Sequence, residues 1–476
     1  MLLFKNKNLF IIILLLTIVS CSNYKNILDD KINKVSQNTF TDKDFKDLEE
    51  ERKSSKNYLL YTQELARVNF ILNKTQASLD KFSEAVNYYN ILEEKSKISV
   101  GGLGRGALAS TVGDDNSLAY EGSDFERSFD YFYRAINYLK LNKLQASLVE
   151  IRASYDIQKL AMSKREKEIS KANNEISKFN FGGDALAEIK KSQSVISNTK
   201  NKFLNSYIYY VSGLVRELSG DLNGALVDYK NTLELYPNNK FVMQDALRLA
   251  EIYDRSYFDY TLKNNQNINY TKQSNYSKQS TVVIIYEQDF IPSKQEISGV
   301  VAINGSVVKF ALPSYNKKQN PLYSVSVDVF KDNINILNIK TSELANIYTL
   351  AQNDLSEQYP LILVRQTTRL VSKTALQNVD NNKNQPSTLG LALYLTGAIS
   401  SIAEQADLRS FRMLPSYVQL AKASIDGPFD SIRINTNNVR SVIIDNLKVE
   451  QPEFIVIYAI DTGVGIYHNI VYRTKK

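Results

Sequence analysis

The spacing of apolar residues changes character near Tyr260. Before it, stripes recur every three or four positions. Ile169, Ala172, Ile176 and Phe179 form one and Leu186, Ile189 and Ile196 another, the pattern of helices that bury one face. After it, "YSVSVDVF" alternates Tyr323, Val325, Val327 and Val329 with Ser324, Ser326 and Asp328, the period of a half-buried strand. Asp332-Asn333 turns that strand into "INILNI", and the apolar run in "TVVIIYEQDF" predicts a buried strand. Further strands are expected in "YVQLAKASI", "SIRINT", "VRSVIID" and "FIVIYAI", and "GIYHNIVYR" is strand-like. Between these groups the pattern predicts two helices, Ser342 to Leu355 and Pro360 to about Val379, the second with proline in its first turn. The apolar run Leu389 to Ala403 is shorter than the ~20 residues that span a bilayer and predicts a buried helix. Polar "LKNNQNINYTKQSNYSKQS" carries no stripe and predicts a linker at 261–280. The expected fold class is α+β multidomain: an α-helical repeat domain over 56–260, then a mixed α+β domain over 281–476.

The helical half contains internal repeats. "YYVSGLVRELSGDLNGALVDYKNTLELYPNN" is similar to a tetratricopeptide unit, with Tyr209 and Gly213 on a first helix and Gly220-Asp221 at the turn. Ala225, Tyr229 and Leu233 follow on the second helix, and Pro237 stands at the exit. Small residues belong where two helices cross closely, large ones fill the space beside them, and proline stops the second helix. A second copy places Tyr131, Ala135, Tyr138, Ser147 and Ile151 at equivalent positions, with Asn142 for the turn glycine, and a third has Ser78, Phe82 and Ala85. Tyr131, Tyr138, Tyr209, Gly213, Ala225 and Tyr229 are thus candidate groove or packing residues. Ser123 and Glu126 form a capping box that opens the middle unit. An insertion at about 156–205 reads as an antiparallel helix pair, reversed at Gly182-Gly183 and capped by Asp184.

The amino terminus carries a separate signal. Lys5 and Lys7 precede an apolar run, Leu9 to Val19, and small Ser20 stands where a signal peptidase cuts. Ile18-Val19-Ser20-Cys21 resembles the lipobox of bacterial lipoproteins. The resemblance implies a signal peptide over 1–20, acyl chains on Cys21, and a lipid-anchored linker over 21–55. Ser22 in place of Asp implies the outer membrane, facing the periplasm. Removal of Lys5 and Lys7 lowers the side-chain charge from +7 to +5. Cys21 is the only cysteine, so none remains for a disulfide.

Little in the chain points to catalysis, cofactors or nucleic acid. The basic residues do not gather into one block, so the positive charge is weak evidence for nucleic acid. The single histidine, His468, reads as a strand residue, and no Gly-x-Ser-x-Gly turn supplies a nucleophile beside it. Zinc needs several histidines or cysteines, which the chain lacks. "GGLGRGALAS" has no Gly-Lys-Ser/Thr ending and reads as a glycine-rich connection rather than a phosphate loop. In "ADLRSFRMLP", Asp407, Arg409, Phe411, Arg412 and Pro415 form a candidate motif: two guanidinium groups for a peptide or glycan, or, as the favoured reading, charges paired internally to hold the last helix against the sheet. Glu121 before the capping box has two readings as well, a binding contact or a residue that helps to start the helix.

"YEGSDFERSFDYFYRAINYL", "SGLVRELSGDLNGALVDYKNTLELYPNN", "YEQDFIPSKQEI", "YPLILVRQTTRLVSKTAL" and "EQADLRSFRMLPSYVQLAKASI" together resemble a functionally uncharacterised family of bacterial outer-membrane lipoproteins with tetratricopeptide repeats. Phe411 departs from that family's usual tryptophan, keeping a ring and losing a donor. The resemblance implies an arrangement and a location but no reaction. The expected function is a non-catalytic adaptor or scaffold that binds an envelope protein through its repeats, without cofactor, metal or nucleic acid. Its rivals are a structural envelope lipoprotein without a dedicated partner and, less favoured, a peptidoglycan-acting enzyme, which needs a carboxylate pair that no motif in the chain supplies.

Overall fold

Three helical hairpins share one register. In the computed structural model, which describes residues 23–53, 56–98, 118–177, 204–264, 268–303, 306–315, 320–381, 405–436 and 440–476, they are α3 (Tyr58–Ile71) with α4 (Thr75–Ile98), α5 (Asp124–Lys140) with α6 (Leu144–Ser177), and α7 (Ser206–Leu218) with α8 (Leu222–Leu235). Each hairpin turns through one left-handed residue: Asn73 (φ 63°), Asn142 (φ 56°) or Gly220 (φ 86°). Only glycine and, less readily, asparagine enter that region at low cost. Seven positions earlier stand Ala66, Ala135 and Gly213, and five later Ser78, Ser147 and Ala225. The small residues let the helices touch: Ser78 Oγ donates to the Ala66 carbonyl at 2.9 Å and Ser147 Oγ to that of Ala135 at 2.8 Å. A Cβ on Gly213 would lie 2.6 Å from the Tyr229 ring. The capping box forms, with Glu126 N–H donating to Ser123 Oγ at 3.3 Å. Helix α6 runs unbroken into the expected insertion; Gly182-Gly183, Asp184 and its second helix lie outside the described residues.

The described part of the expected linker at 21–55 contains two helices, α1 (Asn23–Ser36) and α2 (Asp42–Lys53). Their charged surfaces hide short apolar stripes, and Leu28, Ile32, Val35 and Leu48 are buried. Asp44 ties them together, accepting from Lys31 at 2.6 Å and Lys34 at 2.7 Å. The expected linker at 261–280 is likewise partly helical. After α9 (Lys240–Tyr253), α10 (Arg255–Asn264) extends into it, and α11 (Gln273–Tyr276) buries Tyr276.

The sheets contain the expected strands: β1 (Ser280–Phe290), β4 (Val325–Lys331), β5 (Ile334–Lys340), β7 (Pro415–Ile425), β8 (Ser431–Thr436), β9 (Arg440–Ile444), β10 (Glu453–Asp461) and β11 (Ile466–Lys475). Asp332 and Asn333 turn β4 into β5 with φ of 50° and 64°. A hairpin of β2 (Gln295–Ile303) and β3 (Ser306–Ser314) and a short β6 (Ser342–Asn346) join them without having been legible in the sequence. The main sheet is mixed, in the order β11-β10-β1-β7-β6, with β1 parallel to β10 and the other pairs antiparallel; a second runs β5-β4-β8-β9.

The two predicted helices at 342–379 are a correction. Ser342 to Asn346 pairs with β7 as a strand, and a single helix α12 (Ile347–Asn381) follows with Pro360 in its interior. Asn346 Oδ1 accepts from Thr349 N–H at 2.9 Å and starts the helix there. Proline removes one internal hydrogen bond, and packing on β3 holds the helix across it: Tyr359 OH donates to Pro313 O at 2.9 Å and Gln366 Nε2 to Ala311 O at 2.6 Å. The run Leu389 to Ala403 lies outside the described residues. One apolar core joins Phe70, Tyr133 and Tyr207 of the helices to Ile285 and Tyr458 of the sheet.

Candidate functional site

The inner face of the hairpin array is the first place to look, because stacked hairpins hold peptides there. In this protein the chain itself fills it. The first helix of each hairpin sends one side chain to Glu287 in the middle of β1. Arg67 of α3 pairs with Glu287 Oε2, while Tyr133 OH of α5 and Tyr207 OH of α7 each donate to Oε1 at 2.8 Å. Arg67 also donates to Met413 O at 3.1 Å and stacks 4.4 Å over the Tyr133 ring. All four side chains are buried. Burial pushes both tyrosines well above their usual range; it opposes the charge on Arg67, which Glu287 preserves. This is a closed junction between helices and sheet, without a free acid or base.

The sequence-predicted groove residues fall within the packing. Tyr209, Gly213, Ala225 and Tyr229 are buried, and only Tyr131 and Tyr138 reach partial exposure. Tyr229 OH donates to Glu217 Oε2 at 2.7 Å.

The motif at 407–415 is gathered against the first helices, and residues 405–411 are not helical; the run Leu389 to Ala403, the expected last helix, lies outside the described residues. Arg409 grips Asp407 at 2.9 and 2.8 Å and donates to Asn57 Oδ1 at 3.0 Å and Leu118 O at 2.9 Å. Arg412 pairs with Asp29, and Pro415 begins β7. Three consecutive backbone N–H groups then meet buried carboxylates: Phe411 donates to Glu126 at 2.8 Å, Arg412 to Glu64 Oε1 at 2.6 Å and Met413 to Glu64 Oε2 at 3.2 Å. The residues that sequence reasoning missed are Glu64, Arg67 and Glu287. The available signal was the charged pair Glu64 and Arg67 inside the largely apolar "YLLYTQELARVNFIL".

Burial raises Glu64 to about 7, against the lowering pull of Arg412, and raises Glu126 and Asp130 as well. An exposed glutamate titrates near 4.5, so between that pH and 7 the folded chain binds more protons than the unfolded one. Stability from this cluster therefore falls as pH rises through that window. Urea titrations from pH 5 to 7 are expected to show a flatter loss in Glu64→Gln than in the parent, by at most about 3 kcal/mol over the window. Equal slopes would show that Glu64 is not the group that titrates.

A second charged cluster sits where α9 meets β7. Arg248 donates to Glu217 at 2.8 Å and Asp245 at 3.0 Å, and Lys422 to Asp245 Oδ1 at 2.7 Å. Arg248 stacks 4.0 Å over Tyr276 and Lys476 Nζ lies 3.8 Å from the same ring centre. Burial would raise Glu217, but Arg248 and Lys422 hold it down to about 2. Beside this cluster opens a cleft of about 290 Å3, bordered by α9, Tyr276, β5 and Lys422 to Ser424 of β7.

Carboxylates at the ends of the parallel strands are committed elsewhere. Asp461 accepts from Arg440 at 2.6 Å, from Gly463 N–H at 2.8 Å, and from the hydroxyls of Tyr286 and Tyr323. His468 lies on the exposed side of β11. Among the described residues no cluster of histidine, cysteine, aspartate and glutamate is arranged to hold a metal, and no helix is long and apolar enough to cross a membrane. Cys21 lies outside the described residues. The chain matches no family model, no curated protein and no solved structure.

Proposed function

We propose that the chain is a lipid-anchored periplasmic protein of the outer membrane that works as a non-catalytic, protein-binding adaptor or scaffold. The observation that carries this reading is Ile18-Val19-Ser20-Cys21 after a short apolar run, with the chain's single cysteine at the position that acylation requires. The three hairpins in one register, with small residues at each crossing, support a tetratricopeptide-like array. Because β1 and Glu287 occupy the inner face of that array, the hairpins serve as the frame that carries the sheets, and partner contacts belong on other surfaces. The commitment of Asp461 to four donors weighs against a carboxylate-pair hydrolase at that end of the sheet.

Metabolic labelling with an alkyne fatty acid is the direct test. The parent chain is expected to take up label and sediment with membranes, whereas Cys21→Ser takes up none and partitions into the aqueous fraction. An unlabelled parent would remove both the anchor and the location. Crosslinking in intact envelopes then separates an adaptor, which recovers a specific neighbour, from a purely structural lipoprotein, which recovers abundant ones.

A further inference from the structure

We infer that the cleft between β5 and β7 is a docking site for an extended polypeptide segment ending in a free carboxylate, added as a short strand along the open edge of β7. This rests on the adaptor reading and names its partner's chemistry.

The backbone supplies the first argument. β7 is paired on both sides from Tyr417 to Leu420, with β1 on one side and β6 on the other. β6 extends no further than Leu420, so from Lys422 to Ile425 β1 is the only strand partner of β7 among the described residues. Lys422, Ala423 and Ser424 border the cleft. Alternate N–H and C=O groups of a strand paired on one side only are a template for another strand.

Charge supplies the second. Arg248 and Lys422 are matched by Asp245 and Glu217, so among these groups the excess positive charge at the cleft is that of Lys240. Lys240 is exposed at the rim, where it meets an incoming carboxylate first. The third argument separates a peptide from a simple anion. Asp245 Oδ1 accepts from Arg248 and Lys422, but Oδ2 is buried and among the described residues has no hydrogen-bond partner. A buried acceptor of that kind calls for a donor, and a peptide amide brings one together with the terminal carboxylate. Leu337 and Ile339 of β5 give the opposite wall an apolar surface for alternate side chains. A volume of about 290 Å3 is small for a ligand site and suits the end of a chain rather than a helix.

The test is fluorescence anisotropy on the detergent-solubilised full chain. Its probe is a labelled octapeptide of alternating valine and glutamate with a free carboxyl end. Saturable binding is expected, about tenfold weaker when that end is amidated or when lysine replaces glutamate. Lys240→Glu at the rim is expected to weaken binding about tenfold while leaving the melting temperature unchanged. No saturation up to about 1 mM, equal binding of the amidated peptide, or full affinity in Lys240→Glu would overturn the inference. Complete displacement by millimolar inorganic phosphate would reduce the cleft to a small-anion site and overturn strand addition. Envelope crosslinking distinguishes the two levels. If Lys240→Glu recovers the same specific neighbour as the parent, the docking site falls and the adaptor stands; if neither recovers one, the adaptor reading falls.

Discussion

Arg67→Met is expected to cost the folded chain about 3–5 kcal/mol, a large fraction of the stability of an ordinary domain. Arg67 is fully buried against Glu287, and methionine fills much of its volume while leaving the carboxylate without its cation. Tyr133 and Tyr207 still donate to Glu287, which limits the loss without cancelling it. Glu287→Gln alone leaves the guanidinium unpaired and is also expected to destabilise. In the double variant neither charge is stranded, and glutamine retains an oxygen for the two tyrosines. Urea unfolding of the four proteins is therefore expected to show the double variant losing clearly less than the two single losses combined. Additive losses would mean that the pair does not act as a unit, and the account of this junction would be wrong.

Tyr229→Ala is expected to cost about 3–5 kcal/mol, and Tyr229→Phe about 1.5–3. The ring is fully buried beside Gly213 and lies 5.6 Å from the ring of Tyr210, so alanine leaves a cavity at the crossing of α7 and α8. Phenylalanine keeps that packing and removes only the hydroxyl that donates to Glu217 at 2.7 Å. Thermal or urea unfolding of both variants separates the two contributions. If phenylalanine and alanine cost the same, the crossing is not held by ring packing, and the close approach at Gly213 needs another explanation.

Much of the helical half was legible because its determinants are local. A left-handed asparagine or glycine, a small residue five positions on and a large one four beyond that recur in three hairpins, and local geometry demands each. The capping box at Ser123 and the turn at Asp332-Asn333 were legible for the same reason. The two amphipathic helices before residue 54 were missed because their charged faces dominate the composition. Ser342 to Asn346 was misread because its strand form depends on β7, more than seventy residues later. The same distance problem hid the junction. Nothing near Arg67 announces that its partner is Glu287, 220 positions away.

By itself the amino-acid sequence determined the hairpin register and the alternation of the strands, both of which depend on residues within a few positions of one another. Tertiary structure alone decided that the inner face of the hairpins is occupied by β1, that the 407–415 segment is held by Glu64 and Glu126, and that among the described residues β7 has no second strand partner from Lys422 to Ile425. Those outcomes depend on which buried charges find partners and which strand edges remain unpaired, and both are properties of the packed chain as a whole.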